Sequence, residues 1–177
     1  MTYANQIRSV VVENGVTSIG ENAFYGCNRL TSVSLPDTLY AINSNAFYGC
    51  SHLTDIQIPE GTESLSGSAF RNCNALRTLQ FPASLTNCEN VSYLYACNGL
   101  ENFVVDADNP SYASVDGILY NKKEKQPVSR AVRMESNCTD SARNGYTDRK
   151  RGNGQQPESS ESDSAGWVDQ NRFLQLL

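Results

Sequence analysis

The sequence predicts an α/β repeat solenoid, a stack of short coils in which a parallel β-sheet alternates with short helical or 3-10 return segments. Three observations carry this reading. Ile7, Leu30, Leu53, Leu76 and Leu100 stand 23, 23, 23 and 24 residues apart, and a fixed period of roughly 20–50 residues is the signature of stacked repeats. Two further apolar columns follow each of these positions at constant offsets. A proline closes the pattern at Pro36, Pro59 and Pro82.

The second column is Val10, Val33, Ile56, Leu79, Phe103 and the third is Val12, Leu35, Ile58, Phe81, Val105, two residues later. Side chains alternate across a strand, so both columns face one side and the residues between them face the other. Proline lacks the backbone donor and ends the strand. The return side of each coil carries Ile19, Ile42 and Leu65, followed by Ala23-Phe24, Ala46-Phe47 and Ala69-Phe70. The phrases Gly20 to Cys27 and Asn43 to Cys50 place a polar residue before the pair and a glycine after it. That pattern is read as a capped single turn of α- or 3-10 helix with a glycine exit, too short to stand alone. A coil of this size buries little by itself, so stability depends on neighbours in the stack. No capping unit is apparent at either end, which leaves open strand edges.

The phrase Leu-x-x-Val-x-Leu-Pro-x-x-Leu-x-x-Ile-x-x-x-Ala-Phe-x-x-Cys, whole from Leu30 to Cys50, resembles the BspA-like, treponemal-type leucine-rich repeat. The resemblance runs from Ile7 to about Lys125 and includes Asn109 to Asn121, which looks like the hairpin insert that interrupts such arrays. The resemblance implies a bacterial-type cell-surface or secreted protein used in adhesion and in binding a host, matrix or other protein partner, and it carries no catalytic residues. Two alternatives stay open: a structural spacer within a larger surface protein, and a glycan-binding module attached to an enzyme. The fourth repeat is one residue longer and reads Tyr93-Leu94 in place of Ala-Phe, so a local kink is expected there.

Composition narrows the function. The chain has 177 residues and a net charge of −5, and it lacks the basic stripe of a nucleic-acid footprint. No apolar run approaches the roughly 18 residues of a membrane span, and residues 1–15 lack the charged flank and apolar core of a signal peptide. Cys27, Cys50, Cys73 and Cys97 recur once per repeat, where such coils place Asn or Cys to meet backbone groups of the turn. They are read as a structural ladder of buried thiols. No C-x-x-C pair occurs, so neither metal nor cofactor is expected. His52 is the only histidine and is read as a solvated turn residue; with no nucleophile motif beside it, no enzymatic chemistry is expected.

The candidate partner surface is the outward strand face: Ser32, Ser34, Asp55, Gln57, Thr78, Gln80 and Asn102, flanked by Ser9, Val11 and Val104. Concave solenoid sheets are recognition surfaces, although short polar side chains are also what ordinary solvent-facing positions carry. A second stripe, Tyr25, Tyr48, Arg71 and Tyr95, offers rings for stacking on a partner or a sugar, or a cover for the core edge.

Two segments follow: a solenoid over 1–125 with about five repeats and a hairpin-like insert near 109–121, and a tail over 126–177 rich in Ser, Arg, Asn, Gln and Glu, read as disordered. The codon table permits a second reading of the tail. One nucleotide later, the codons of Ala142, Arg143 and Asp148 to Arg149 allow Pro, Gly and Ile-Gly, and those of Ser164 to Asn171 allow Leu-Pro-Asp-Gly-Leu-Thr-Lys-Ile, to compare with Leu-Pro-Asp-Thr-Leu-Tyr-Ala-Ile at Leu35 to Ile42. The tail is therefore compatible with repeat sequence translated out of frame.

Overall fold

The computed structural model describes residues 3–89, 94 and 97–130. Strands form at the predicted columns of every coil but the third, and a second set forms on the return sides of the first four. The first set is β1 (Ser9–Val11), β3 (Ser32–Ser34), β6 (Thr78–Phe81) and β8 (Asn102–Val105). The second set is β2 (Ser18–Ile19), β4 (Ala41–Ile42), β5 (Ser64–Ser66) and β7 (Asn87–Glu89). All pairings between coils are parallel, and the registers advance by the repeat: Val10 faces Val33, Ile19 faces Ile42, and Leu79 faces Phe103.

The continuous sheet is the unexpected one. The return strands form an uninterrupted order β2-β4-β5-β7, whereas the column strands pair as β1-β3 and β6-β8. The third repeat keeps the alternation there without ladder bonds, with Ile56 and Ile58 buried and Asp55 and Gln57 exposed.

In the first three coils the helical return segments expected from the sequence are replaced by turns, and the hydrogen bonds show why. Along Asn45 to Cys50, alternate N–H groups bond within the coil: Ala46 to Asn43, Tyr48 to Asn45 and Cys50 to Phe47, at 3.0–3.2 Å. The intervening N–H groups of Phe47 and Gly49 donate to Ala69 and Arg71 of the next coil, both at 2.9 Å. A 3-10 helix needs consecutive bonds of the first kind; here every second donor is committed to the stack. The polar residue read as a helix cap instead takes a left-handed conformation at Asn22 (φ 56°) and Asn45 (φ 54°), which asparagine tolerates better than most residues. The glycine exit at Gly26 and Gly49 is left-handed as well, and Asn72 takes it over in the third coil with φ 63°.

The core is a set of ladders. Phe24, Phe47 and Phe70 stack with centroids 5.2 and 5.5 Å apart and planes within 11° and 2°, close to the spacing of adjacent strands. Leu94, fully buried, continues this column in the fourth repeat, and the N–H of Cys97 bonds the Leu94 carbonyl at 3.1 Å as its counterparts do. The other residues at which a kink was expected, including Tyr93, lie outside the described residues. Thr62 occupies an apolar column with Val16, Leu39 and Leu85, and its hydroxyl donates to the Leu39 carbonyl at 3.2 Å. Gly99 is packed against the preceding coil so closely that a Cβ would sit 2.0 Å from the Asn74 carbonyl oxygen.

Beyond β8 the chain turns antiparallel. β9 (Tyr112–Val115) and β10 (Ile118–Asn121) form a hairpin over Asp116 (φ 50°) and Gly117 (φ 73°), as a two-residue primed turn requires. β11 (Gln126–Arg130) pairs with β10, so ordered strand extends five residues into the stretch read as tail; 131–177 lies outside the described residues. This meander closes the core, which corrects the reading that the carboxyl-terminal side lacks a cap. Asn109 fastens it: its buried amide donates to the carbonyls of Pro82 (2.7 Å) and Leu85 (2.9 Å) and accepts from the N–H groups of Ser111 and Tyr112. The Tyr112 ring packs edge-on against Phe81, and its hydroxyl accepts the Cys88 N–H at 2.9 Å.

Two stability effects follow. Gly99→Ala should lower stability by about 1–3 kcal/mol, the range for forcing atoms into packed space, while Gly20→Ala, with nothing within 4 Å of the added atom, should stay within about 0.5 kcal/mol; equal urea midpoints for the two would contradict the close approach. Asn109→Ala leaves several buried backbone groups unpaired, and the expected loss is at least about 2 kcal/mol, read by the same unfolding curves.

Candidate functional site

The outward strand positions form the face the alternation predicts. Ser32, Ser34, Asp55, Gln57 and Asn102 are exposed, and Thr78 and Gln80 are half-buried. Register aligns them in rows: Ser9 with Ser32, Val11 with Ser34, Thr78 with Asn102, and Gln80 with Val104. Val11 and Val104 are the exposed apolar members of the face, at 76% and 50%. Because the third repeat lacks ladder bonds, the rows run as two paired patches with Asp55 and Gln57 between them.

The charges flanking this face are sorted by sign. Segments leading into the strands carry Arg8, Arg29 and Arg77, with Glu101 as the acidic exception. Arg77 sits 4.0 Å from Glu101 and donates to the Gly99 carbonyl at 3.0 Å. His52 approaches the Asn28 carbonyl and lies 3.3 Å from the Ser51 hydroxyl. Segments leaving the strands carry Glu13, Asp37, Glu60, Asp106 and Asp108, all exposed, and no lysine or arginine. Sequence reasoning missed this sorting, although the same column alignment that found the core would have displayed it.

The second stripe is built differently. Tyr25 and Tyr48 stack face to face at 4.7 Å and 2°, and the Arg71 guanidinium lies 5.9 Å from the Tyr48 centroid. Asn72 donates to the Tyr48 hydroxyl at 2.9 Å. The facing sides of the two rings are thus occupied by each other, leaving only edges and the outer side of Tyr25 for a ligand. Tyr95 lies outside the described residues.

Cys27, Cys50, Cys73 and Cys97 are buried and free. Each thiol from Cys50 onward reaches the carbonyl of the preceding phenylalanine-column residue: Cys50 to Phe24 at 3.3 Å, Cys73 to Phe47 at 3.1 Å, and Cys97 to Phe70 at 2.7 Å. Burial pushes Cys50 up to about 12 and Cys97 up to about 11, raises Cys27, and carries Cys73 higher still. Cys88, which sequence reasoning did not single out, occupies the column of Ile19, Ile42 and Leu65 and is pushed by burial up to about 12. Thiols held protonated in this way are poor nucleophiles and poor ligands. Among the described residues no cluster of three His, Cys, Asp or Glu side chains is placed to hold a metal, and no helix is long and apolar enough to cross a membrane.

Comparison with known proteins agrees with this architecture. A family model described as the BspA type leucine rich repeat region matches residues 2–114 in six copies. Among solved structures, a leucine-rich repeat protein of T. pallidum is 27% identical, with a TM-score of 0.53 over 56% of this chain and 46% of its own length. One from Bacteroides capillosus is 30% identical, with a TM-score of 0.50 over 56% of this chain and 77% of its own. One from Eubacterium ventriosum, at 24% identity and a TM-score of 0.57 over 75% of this chain and 41% of its own, shares the fold. This chain thus spans less than half of the first and third of these. No curated protein matches it.

The raised thiols predict alkaline sensitivity. Below the ordinary thiol value of 9.0 both states keep their protons and stability is unaffected; above it the unfolded chain ionises while the folded one does not, so stability falls. Each such cysteine contributes a slope of up to about 1.4 kcal/mol per pH unit. Urea unfolding in reducing buffer from pH 8 to 10.5 should show the decline, made shallower by Cys73→Ser; an unchanged slope in that variant would contradict the ladder.

Proposed function

We propose, for a chain that belongs to the BspA-type leucine-rich repeat family, that it is a non-catalytic protein-binding module of a cell-surface or secreted protein, and that the outward strand face is where the partner docks. The observation that carries this reading is the face itself: short polar side chains held in register on stacked coils, with basic side chains along one margin and acidic side chains along the other. Rows of this kind cost little to order on binding because the backbone is already fixed by the neighbouring coils. Sorting of charge at the margins supplies orientation and speeds encounter.

A location outside the cell is supported by the family, which is typical of bacterial surface proteins, and a host or matrix protein is the partner class this location offers. The non-catalytic reading is supported by the thiols, which burial keeps protonated, and by the lone His52, whose ring nitrogen is engaged by a backbone carbonyl.

The test is binding of the chain to a panel of purified matrix and serum proteins by biolayer interferometry. At least one should bind, and the triple variant Asp55→Lys, Gln57→Lys, Gln80→Lys should weaken it about tenfold or more, while Asn87→Lys, exposed on β7, should leave it unaltered. Full binding by the triple variant would refute the face; no binding to any member of the panel would favour the spacer.

A further inference from the structure

We propose that a groove at the acidic margin of the strand face receives one basic side chain, lysine or arginine, from a protein partner. The inference deepens the binding reading above and takes the class of partner from it, while the chemistry of the groove stands on its own geometry.

The groove spans three consecutive coils and encloses about 140 Å³. Its floor is Ile58, Phe81 and Pro82, all buried, and its walls are the half-buried Gln80 and the exposed Val104. Pairing of β6 with β8 sets Gln80 beside Val104 and Phe81 beside Val105, so the cleft is fixed by strand register. Glu60 and Asp106 stand at its mouth, on the coils to either side of the one that carries Pro82. Each carboxylate is anchored by one oxygen: Glu60 accepts the Ala83 N–H at 3.2 Å, and Asp106 accepts the Asp108 N–H at 2.9 Å. The second oxygen of each has no cation partner among the described residues.

Size and chemistry select the occupant. Small-molecule sites begin at roughly 300 Å³, so this cleft is scaled to a single side chain. An apolar floor beneath charged rims suits a side chain with a methylene stem and a charged head. Two carboxylates repel an acidic head and give nothing to an apolar one, whereas an ammonium or guanidinium is attracted by both and can make a charge-assisted hydrogen bond to either.

The test uses n-butylammonium and n-butylguanidinium as probes, with 1-butanol as the neutral control, titrated into the 15N-labelled full chain and followed by amide chemical shifts. Both cations should move the amides of Glu60, Gln80, Val104 and Asp106 with half-saturation on the order of 10 mM, reasonable for so few heavy atoms, and butanol should not. The double variant Glu60→Gln, Asp106→Asn keeps the acceptors of the anchoring bonds and removes the charge; it should weaken the cations about fivefold or more. Equal shifts at Glu13, Asp37 and Glu63, or an unaffected double variant, would overturn the groove. Localised cation binding in a chain whose Asp55→Lys, Gln57→Lys double variant, which leaves the groove intact, still binds its protein partner fully would instead refute the strand-face reading and keep the groove, so the two failures are distinguishable.

Discussion

The division of backbone donors in the return turn is the constraint on which the rest of the structure depends. Alternate N–H groups close the turn within their own coil and the others reach the next coil. This arrangement forbids a helix, because consecutive local bonds are unavailable. It also forces the chain through left-handed conformations at Asn22, Asn45, Gly26, Gly49 and Asn72, where most side chains are strained. The coil-to-coil distance is then no longer adjustable, and every column of side chains must accept a copy of itself about 5 Å away.

That spacing explains the choice of residues in the columns. Flat rings stack well at this separation, which suits Phe24, Phe47 and Phe70, and also Tyr25 and Tyr48. The carbonyl of each phenylalanine faces the coil that follows, and a cysteine there is small enough to fit and still carries a donor. Serine would offer a stronger donor but at greater cost of burial wherever its own oxygen lacks a partner. Where the spacing is violated, the chain compensates locally: the 24-residue step in the fourth repeat coincides with Gly99 lying against the Asn74 carbonyl, a contact no other residue permits.

The columns were legible in the sequence because burial is periodic, and periodicity survives any error about local conformation. Ile56 and Ile58 point inward and Asp55 and Gln57 outward even where strand pairing is absent. The return strands were not legible: two or three residues such as Ser18–Ile19 carry no alternation to detect. The phrase Asn-Ala-Phe-Tyr-Gly-Cys misled for a physical reason, since asparagine and glycine are used both by helix caps and by left-handed turns. Asn109 was invisible as an anchor because its partners, the carbonyls of Pro82 and Leu85, are backbone atoms brought near by stacking. The acidic groove likewise joins residues from three coils, Glu60, Gln80 and Asp106 among them, and only the register sets them side by side.

Periodicity also governs how the flanking charges act. Arginine precedes the strand position in three of the five coils and carboxylate follows it in four. Arg8 and Glu13 are five residues apart in sequence, roughly 16 Å along an extended strand, about twice the screening length at physiological ionic strength. The two margins therefore do not cancel at the surface. A partner lying on the face meets a basic border on one side and an acidic border on the other, and reversing it would set like charges together. On the binding reading, affinity is left to the short side chains and the groove, and orientation to the borders, so outward residues can vary from coil to coil without disturbing the inward columns that hold the stack.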